Sequence, residues 1–200
     1  MQVLFICGTV FASESTADDF LTSDFAKARA LLNKAGYDGT PIILLHSTDV
    51  NVLTNLAPVA KQLMERAGLK VDMQSMDWQS LVARRARKEA PNAGGWHAFL
   101  TATFGIELLD PAIANWLASS CDKALPGWPC DIELERLRGQ FARETDPGAQ
   151  KAVADAVQSR ATQVTPYVPL GQWHSLLAAR KNIVGLLIAP ASVFWNVEKR

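Results

Sequence analysis

Strand-like and helix-like segments alternate through most of this 200-residue sequence, and their order predicts an α/β fold. Three short apolar runs, which begin at Ile42, Leu69 and Trp96, have the composition and length of strands. Segments with apolar residues at helical spacing lie between consecutive runs. Strands joined by helices usually pair in parallel, so we expect a mixed, mainly parallel sheet with helices on both faces.

The first predicted helix begins at Asp24, because an aspartate is a favourable N-cap, and it ends at Gly36. The strand that follows, residues 42–46, is continuously apolar, as expected of a strand buried on both faces.

A second helix is expected to start at Asp49 or Asn51 and to end at Gly68, with a kink at Pro58. The second strand, residues 69–76, alternates apolar and polar side chains. Both features continue the strand–helix alternation.

The stretch 96–111 predicts a ligand-binding edge. Its apolar, threonine-rich first half predicts a buried strand that ends at Gly105, and Glu107 follows in a short loop. Asp110 and Pro111 then have the pattern of a helix start. In open α/β sheets, ligands collect outside the carboxyl ends of strands, so Glu107 is delivered to such an edge.

The remainder of the chain is predicted to be helical and then extended. A helix after Pro111 should bury Trp116 and Leu117, and two further helices should span residues 131–145 and 147–164. Three extended segments are predicted last: residues 167–173, 183–188 and 193–197.

The charges of the chain balance at 20 basic and 20 acidic side chains, so no global field favours nucleic acid or an anionic membrane. The basic run from Arg84 to Lys88 is interpreted as a solvated helix end, where cations complement the helix dipole. No apolar run approaches the length of a transmembrane helix, about 20 residues.

No metal, cofactor or catalytic residue is predicted. The three histidines lie in separate predicted elements without metal-ligand spacing, and neither a nucleophile elbow nor a phosphate-binding loop is present. They are His46, His97 and His174. Asp77 and Asp110 are explained as helix caps, which leaves Glu107 without a partner acid for hydrolysis.

Two arrangements of the cysteines stay open on spacing alone. Cys121 and Cys130 either form a disulfide or are two reduced, half-buried thiols, and Cys7 is left over in both cases. An alternative function is a freestanding α/β enzyme. It would be either a hydrolase or a thiol enzyme that uses Cys7 or Cys121. No histidine follows either cysteine in a recognisable pattern. A structural interaction module is a third class, and it predicts a broad apolar patch.

Several motifs occur in a characteristic order. They are Asp24-Phe-Ala-Lys-Ala-Arg-Ala-Leu-Leu, Ala35-Gly-Tyr-Asp-Gly, Met76-Asp-Trp78, Asp110-Pro111, Cys121-Asp-Lys with Gly127-Trp-Pro-Cys130, Tyr167-Val-Pro-Leu-Gly-Gln172 and Phe194-Trp-Asn-Val197. From about Gly8 onward the chain thus resembles the peptide-binding family of extracellular solute-binding proteins, which serve ABC importers. The resemblance implies the carboxyl-terminal portion of a longer protein, an incomplete second lobe of a two-lobed, type II-like periplasmic binding fold.

The resemblance also implies a domain organisation. Residues 1–22 would enter as a hinge segment, residues 23–165 would form the ligand-binding lobe, and residues 166–200 would return across the hinge toward a first lobe that this chain lacks. Met1 is then expected to be an internal or misassigned start. The full-length protein would be periplasmic and would carry the signal peptide.

In peptide binders of this family an aspartate pairs with the amino terminus of the ligand, and an aromatic residue lies three positions earlier. Those positions fall on Glu107 and Phe104. Thr103 would form the adjacent wall, and Asp110 and Trp96 complete the set of expected ligand-binding residues.

The resemblance bears on the ligand as well. Dipeptide binders of the family place an arginine near the start of the helix after the first strand, whereas this chain has Thr54, Asn55 and Leu56 there and no cation before Lys61. The expected ligand is therefore a small peptide or another amine-bearing solute, passed to an ABC permease without catalysis. The family also favours the disulfide between Cys121 and Cys130.

Overall fold

The computed structural model describes residues 4–13, 23–187, 189 and 193–200. Parts of two expectations therefore lie outside the described residues: residues 1–3 and 14–22 of the hinge segment, and Ile188 at the end of a predicted extended segment.

The chain divides into two structural units. One is Thr22–Ala102, and the other combines Met1–Leu21 with Thr103–Arg200. The boundary falls inside the predicted lobe 23–165, while the interlobe roles of residues 1–22 and 166–200 stay predictions.

The unit Thr22–Ala102 has the predicted α/β arrangement. Its elements are α1 (Phe25–Lys34), β1 (Ile42–Ser47), α2 (Asn51–Thr54), α3 (Leu56–Ala67), β2 (Val71–Met76), α4 (Trp78–Arg85) and β3 (Ala98–Phe99). The strand order is β2-β1-β3 with both pairings parallel, which confirms the expected parallel sheet.

Aspartate caps determine where two of these helices begin. An Asp24 side-chain oxygen accepts a hydrogen bond from the Lys27 amide at 2.8 Å, and Asp77 accepts one from the Ser80 amide at 3.0 Å. Each carboxylate satisfies an amide that has no partner within its helix. Gly68 ends α3 at φ 106°, a left-handed conformation that glycine adopts without a steric cost.

The prediction of one long helix capped by Asp49 or Asn51 and kinked at Pro58 is wrong. α2 and α3 are separate helices, and Pro58 lies in the first turn of α3, where no intrahelical amide bond is lost. Asp49 instead accepts hydrogen bonds from the Ser47 hydroxyl at 3.1 Å and the Trp78 amide at 2.8 Å. It joins the end of β1 to the start of α4.

Apolar side chains from the sheet and α3 form the core of this unit. Leu44, Ala57 and Val71 are buried. At the outer edge of β2, the Lys61 ammonium donates to the Val71 carbonyl oxygen at 2.8 Å and forms an ion pair with Glu65 at 2.9 Å. The Lys61 side chain, which extends from α3, thus covers part of this edge strand.

The third strand is shorter and less buried than predicted. β3 comprises only Ala98 and Phe99, both half-buried, and it pairs with β1 only at Leu44 and Leu45. Residues 101–104 have no neighbouring strand among the described residues, so the predicted strand does not continue to Gly105.

The other unit contains two long helices and a short strand pair. The helices are α5 (Ile132–Phe141) and α6 (Pro147–Val164), and the antiparallel strands are β4 (Ile183–Val184) and β5 (Glu198–Lys199). The core of the unit consists of Phe5, Ala114, Leu117, Leu134, Leu137, Phe141, Val153, Ala154, Val157 and Ala161. Apolar residues at helical spacing on both helices supply most of this core, and Ala156 is half-buried beside it.

The helix predicted after Pro111 does not form. The chain makes a turn and then a short 3-10 helix at Asn115–Leu117. The Arg138 guanidinium donates to the carbonyl oxygens of Pro111 at 3.0 Å and Ala112 at 3.4 Å. A continuing α-helix would need these two acceptors for its own amides.

The predicted extended segments are only partly strands. Residues 166–182 contain no strand. β5 begins at Glu198 rather than within the predicted segment 193–197. Large apolar side chains are exposed along this tail: Val168, Leu170, Trp173, Leu176, Leu177, Phe194 and Trp195.

Candidate ligand site

The acid singled out by the sequence lies on a short 3-10 helix, Gly105–Leu108. The Glu107 amide donates to the Phe104 carbonyl oxygen at 3.0 Å, which closes the turn. The amino-terminal segment supports it, because the Ile6 amide donates to the Leu108 carbonyl oxygen at 3.2 Å. A Cβ atom at Gly105 would lie 3.3 Å from the Ile6 side chain, so the close approach favours glycine.

The Glu107 carboxylate is exposed and has one protein partner. The Thr103 hydroxyl donates to Oε2, and no Lys or Arg among the described residues forms an ion pair with the acid. The hydroxyl orients the carboxylate without neutralising it. Such an acid can accept hydrogen bonds from a cationic group outside the chain.

Apolar surface flanks this acid. Phe104 is 60% exposed and Ile106 is 46% exposed. Phe104 is the N-cap residue of this short helix, in an extended conformation, and it precedes Glu107 by three residues. The turn thus carries an exposed carboxylate and an exposed aromatic ring, and both kinds of group attract cations.

Asp110 lies close in sequence but serves the backbone. One of its oxygens accepts hydrogen bonds from the Ala112 amide at 2.7 Å and the Ile113 amide at 3.1 Å. The expected capping role is therefore present, although it caps a turn and not an α-helix. Whether Asp110 also contacts a ligand stays a prediction.

Trp96 belongs to the other structural unit and packs within it. Its indole nitrogen donates to the Arg85 carbonyl oxygen at 3.1 Å, and its ring meets Phe99 edge-on with centroids 5.0 Å apart. These contacts fix the indole at the start of β3.

Two arginines at the end of α4 differ from the predicted solvated helix end, because both side chains are half-buried. The Arg84 guanidinium donates to the Gln74 side chain at 2.5 Å and to the carbonyl oxygens of Gly94 and Gly95 at 3.3 and 3.1 Å. The Arg85 guanidinium lies 5.3 Å from the Trp78 ring. Sequence reasoning missed Arg85 as a functional candidate, since its spacing is that of an ordinary basic run.

The segment 54–56 offers no cation to a ligand carboxylate. The Thr54 carbonyl oxygen is 2.9 Å from His46 Nε2, and Asn55 separates α2 from α3. Lys61 is occupied by Val71 and Glu65. The arginine expected of a dipeptide binder thus has no substitute at this position.

The thiol-enzyme alternative loses one of its two candidate cysteines. Cys121 is bonded to Cys130, which confirms the expected disulfide and leaves no thiol at Cys121 for catalysis. Cys7 is a half-buried free cysteine.

The part of the chain that the structure describes holds no cluster of three or more potential metal ligands. Within the same ranges, none of the helices combines the length and apolarity needed to cross a bilayer. The Nδ1 atom of His97 accepts a hydrogen bond from the Ile43 amide at 2.9 Å.

Residues 6–124 match the model of a protein family described as bacterial extracellular solute-binding proteins, family 5 Middle. A relative from Sinorhizobium fredii, named probable peptide ABC transporter periplasmic-binding protein y4tO, is 31% identical over 176 residues. That alignment covers 88% of this chain and 33% of the relative, so the chain spans about a third of the length of the curated relatives it matches.

Solved structures share the fold at lower identity. A dipeptide-binding protein from Pseudoalteromonas sp. SM9913, in complex with Met-Leu, superposes with a TM-score of 0.65 at 19% identity, covering 88% of this chain and 36% of that protein. The binding protein AgaA from A. tumefaciens R10, in complex with agropinic acid, gives a TM-score of 0.63 at 23% identity, with coverages of 82% and 33%. The chain therefore has the fold of part of a periplasmic binding protein.

Proposed function

Since the chain belongs to family 5 of the bacterial extracellular solute-binding proteins, we propose that it forms the carboxyl-terminal part of the substrate-binding component of an ABC importer. The name of the Sinorhizobium fredii relative, a peptide ABC transporter binding protein, supports this assignment. The protein would act in the periplasm and deliver its solute to the membrane permease.

The proposed ligand is a small peptide or a related amine-bearing solute. The observation that carries this proposal is Glu107, an exposed carboxylate that a hydroxyl orients and no described cation neutralises. The exposed ring of Phe104, three residues earlier in the chain, is a second group that would attract an ammonium. Because segment 54–56 carries no arginine, recognition of a ligand carboxylate by the route known for dipeptide binders is not expected.

The proposed mechanism is closure of two lobes around the solute. A ligand that contacts both lobes stabilises the closed state, because only this state makes both sets of contacts. This chain would contribute the contacts of one lobe, so on its own it should bind weakly.

The apolar tail is proposed to contact the other lobe. Side chains such as Leu170, Trp173 and Leu176 are 62%, 53% and 98% exposed, and contiguous apolar surface of this kind usually marks an interface. The relatives are about three times as long as the matched region, so they contain sequence that could cover it. We expect the tail to resist proteolysis only when that additional lobe is present.

A binding experiment with a mixture of small peptides tests the role of Glu107. The backbone amide resonances of residues 105–108 would be followed by NMR while a casein hydrolysate is added to the 200-residue chain. A parallel titration would use the same hydrolysate after N-acetylation. We expect saturable shifts with the free amines and none with the acetylated mixture.

The variant E107Q should weaken this binding by about 10-fold or more, because a charge-assisted hydrogen bond is lost. E198Q is the matched control, since it removes an exposed acid on β5, and it should bind like the unaltered chain. Equal shifts with free and acetylated peptides would refute the proposed role of the acid.

A further inference from the structure

The Arg85 side chain is a half-buried cation without an anionic partner. Its Nη1 atom is buried and has no hydrogen-bond acceptor, and no described acid lies within ion-pair distance of the guanidinium. Burial lowers the pKa of Arg85, and no neighbouring acid opposes this shift. Removing a charge from water without a counter-charge destabilises a protein, so an arrangement of this kind calls for a functional explanation.

The neighbouring Arg84 shows that the chain can satisfy a guanidinium at the same helix end. Arg84 is also half-buried, but its nitrogens reach three oxygen acceptors on Gln74, Gly94 and Gly95. The lack of an acceptor is therefore particular to Arg85 and is not a general property of the end of α4.

Aromatic residues hold the Arg85 guanidinium in place. Its central carbon lies 5.3 Å from the Trp78 ring centre and 5.4 Å from the Phe99 ring centre. The Trp96 indole donates to the carbonyl oxygen of Arg85 itself, which fixes the backbone at this point. Ring faces offset part of the cost of burying the cation but provide no oxygen acceptor, so the Nη1 atom is left without one.

We propose that Arg85 binds a carboxylate supplied from outside this chain, with Trp78 and Phe99 orienting the guanidinium. Carboxylates match the geometry of a guanidinium better than spherical anions do. The carboxylate belongs either to a bound solute or to an acidic side chain of polypeptide that this chain does not contain. In the first case the proposal rests on the solute-binding function proposed above, whereas the Arg85 site itself does not depend on Glu107.

The binding test follows the Arg85 side-chain N–H resonance and the indole resonances of Trp78 and Trp96 during titration at constant ionic strength. The probe is N-acetylglycinate, and its neutral amide N-acetylglycinamide is the matched negative probe. We expect saturable shifts with the carboxylate alone. R85Q should abolish the indole shifts, and R87Q, which removes an exposed charge two residues away, should retain them.

Equal shifts of these resonances with both probes would overturn the proposal. An equal loss of the indole shifts in R85Q and R87Q would overturn it as well. Neither result concerns Glu107, so failure here is distinguishable from failure of the peptide-binding proposal. A second carboxylate probe, acetyl-Gly-Asp-Gly-amide, separates the two sources. Tighter binding of N-acetylglycinate supports a solute, and tighter binding of the aspartyl peptide supports an acidic segment of polypeptide.

Thermal unfolding gives a readout that a purely structural arginine would not produce. R85M keeps most of the side-chain volume and removes the unpartnered charge, so its Tm should equal or exceed that of the unaltered chain. R84M loses three hydrogen bonds and should unfold at a lower temperature. A fall in the Tm of R85M as large as that of R84M would mean that Arg85 is satisfied within the chain as fully as Arg84, and the proposal would be wrong.

Discussion

The α5–α6 pair and the turn at residues 103–108 belong to the same structural unit, but their charged groups are arranged in opposite ways. Between the helices, Asp131 receives two hydrogen bonds from Arg160, at 3.0 and 2.5 Å, and one from the Leu134 amide at 2.7 Å. On α5, Glu135 pairs with Arg138 at 2.7 Å. On the turn, Glu107 accepts a hydrogen bond from the Thr103 hydroxyl and forms no ion pair with a described cation.

This difference separates acids whose partners lie within the chain from the acid that is proposed to meet a ligand. A carboxylate whose partners all lie within the chain contributes to stability, whereas one that is oriented but not neutralised retains its capacity for an external cation. The same distinction applies to Arg84 and Arg85 in the other unit. Four variants test the comparison, beginning with the helix pair.

Phe141→Ala should have the largest effect. Phe141 is 4% exposed and meets Phe11 edge-on with ring centroids 4.9 Å apart, so truncation leaves a cavity in the core. We expect a loss of about 3–5 kcal/mol in the free energy of unfolding, measured by urea denaturation. Ile132→Ala on the same helix is the control, because Ile132 is 86% exposed, and it should change the stability by less than about 0.5 kcal/mol.

Removing the disulfide should have the second-largest effect. The double variant C121S/C130S opens a short loop and should lose about 2–3 kcal/mol by the chain-entropy estimate. Iodoacetamide without reductant should leave Cys121 and Cys130 unmodified in the native chain. Alkylation of either residue would show that the thiols are free and would reopen the thiol-enzyme alternative.

Asp131→Asn should have a smaller effect that depends on pH. Hydrogen bonds from Arg160 and from the Leu134 amide hold the pKa of Asp131 below its usual value. A depressed folded-state pKa contributes stability that is complete above the unfolded value, about 3.9, and is lost as the pH falls through the lower folded value. The Tm difference between the unaltered chain and D131N should therefore be largest near neutral pH and should shrink below about pH 4. A difference that is constant from about pH 3 to 7 would contradict this account of the ion pair.

Glu107→Ala should have the smallest effect on folding. An exposed acid without an ion pair contributes little, so the free energy of unfolding should change by less than about 0.5 kcal/mol. Chemical denaturation of E107A and D131N in parallel measures the difference in stability between the two variants. A destabilisation as large as that of D131N would place Glu107 among the structural acids and would remove the distinction between the two regions.

Features with a local cause could be predicted from the sequence. Asp24 and Asp77 cap helices within three residues of themselves, and the apolar spacing of Leu134 and Leu137 identifies the inward face of α5. Gly68 marks the end of α3 because few other residues adopt its backbone conformation. Each of these signals depends on neighbours in sequence, so a single sequence contains the necessary information.

Features with a distant cause could not be predicted. Where a helix is expected after Pro111, the carbonyl oxygen of Pro111 accepts instead from Arg138, 27 residues later. Asp49 caps no helix of its own because the Trp78 amide, 29 residues away, uses its carboxylate. The candidate site shows the same limit: Glu107 is singled out by its place in the sequence and by the family resemblance, whereas Arg85 becomes distinctive only when its surroundings are seen in three dimensions.

The lysine at the outer edge of the sheet has a consequence for the behaviour of the chain in concentrated solution. β2 is an edge strand, and exposed edge strands readily recruit strands from other molecules and so start aggregation. The Lys61 ammonium occupies the Val71 carbonyl on that edge and keeps a charge beside it. A strand that paired with β2 would have to displace and desolvate this cation, so the side chain protects the protein against self-association during folding and storage.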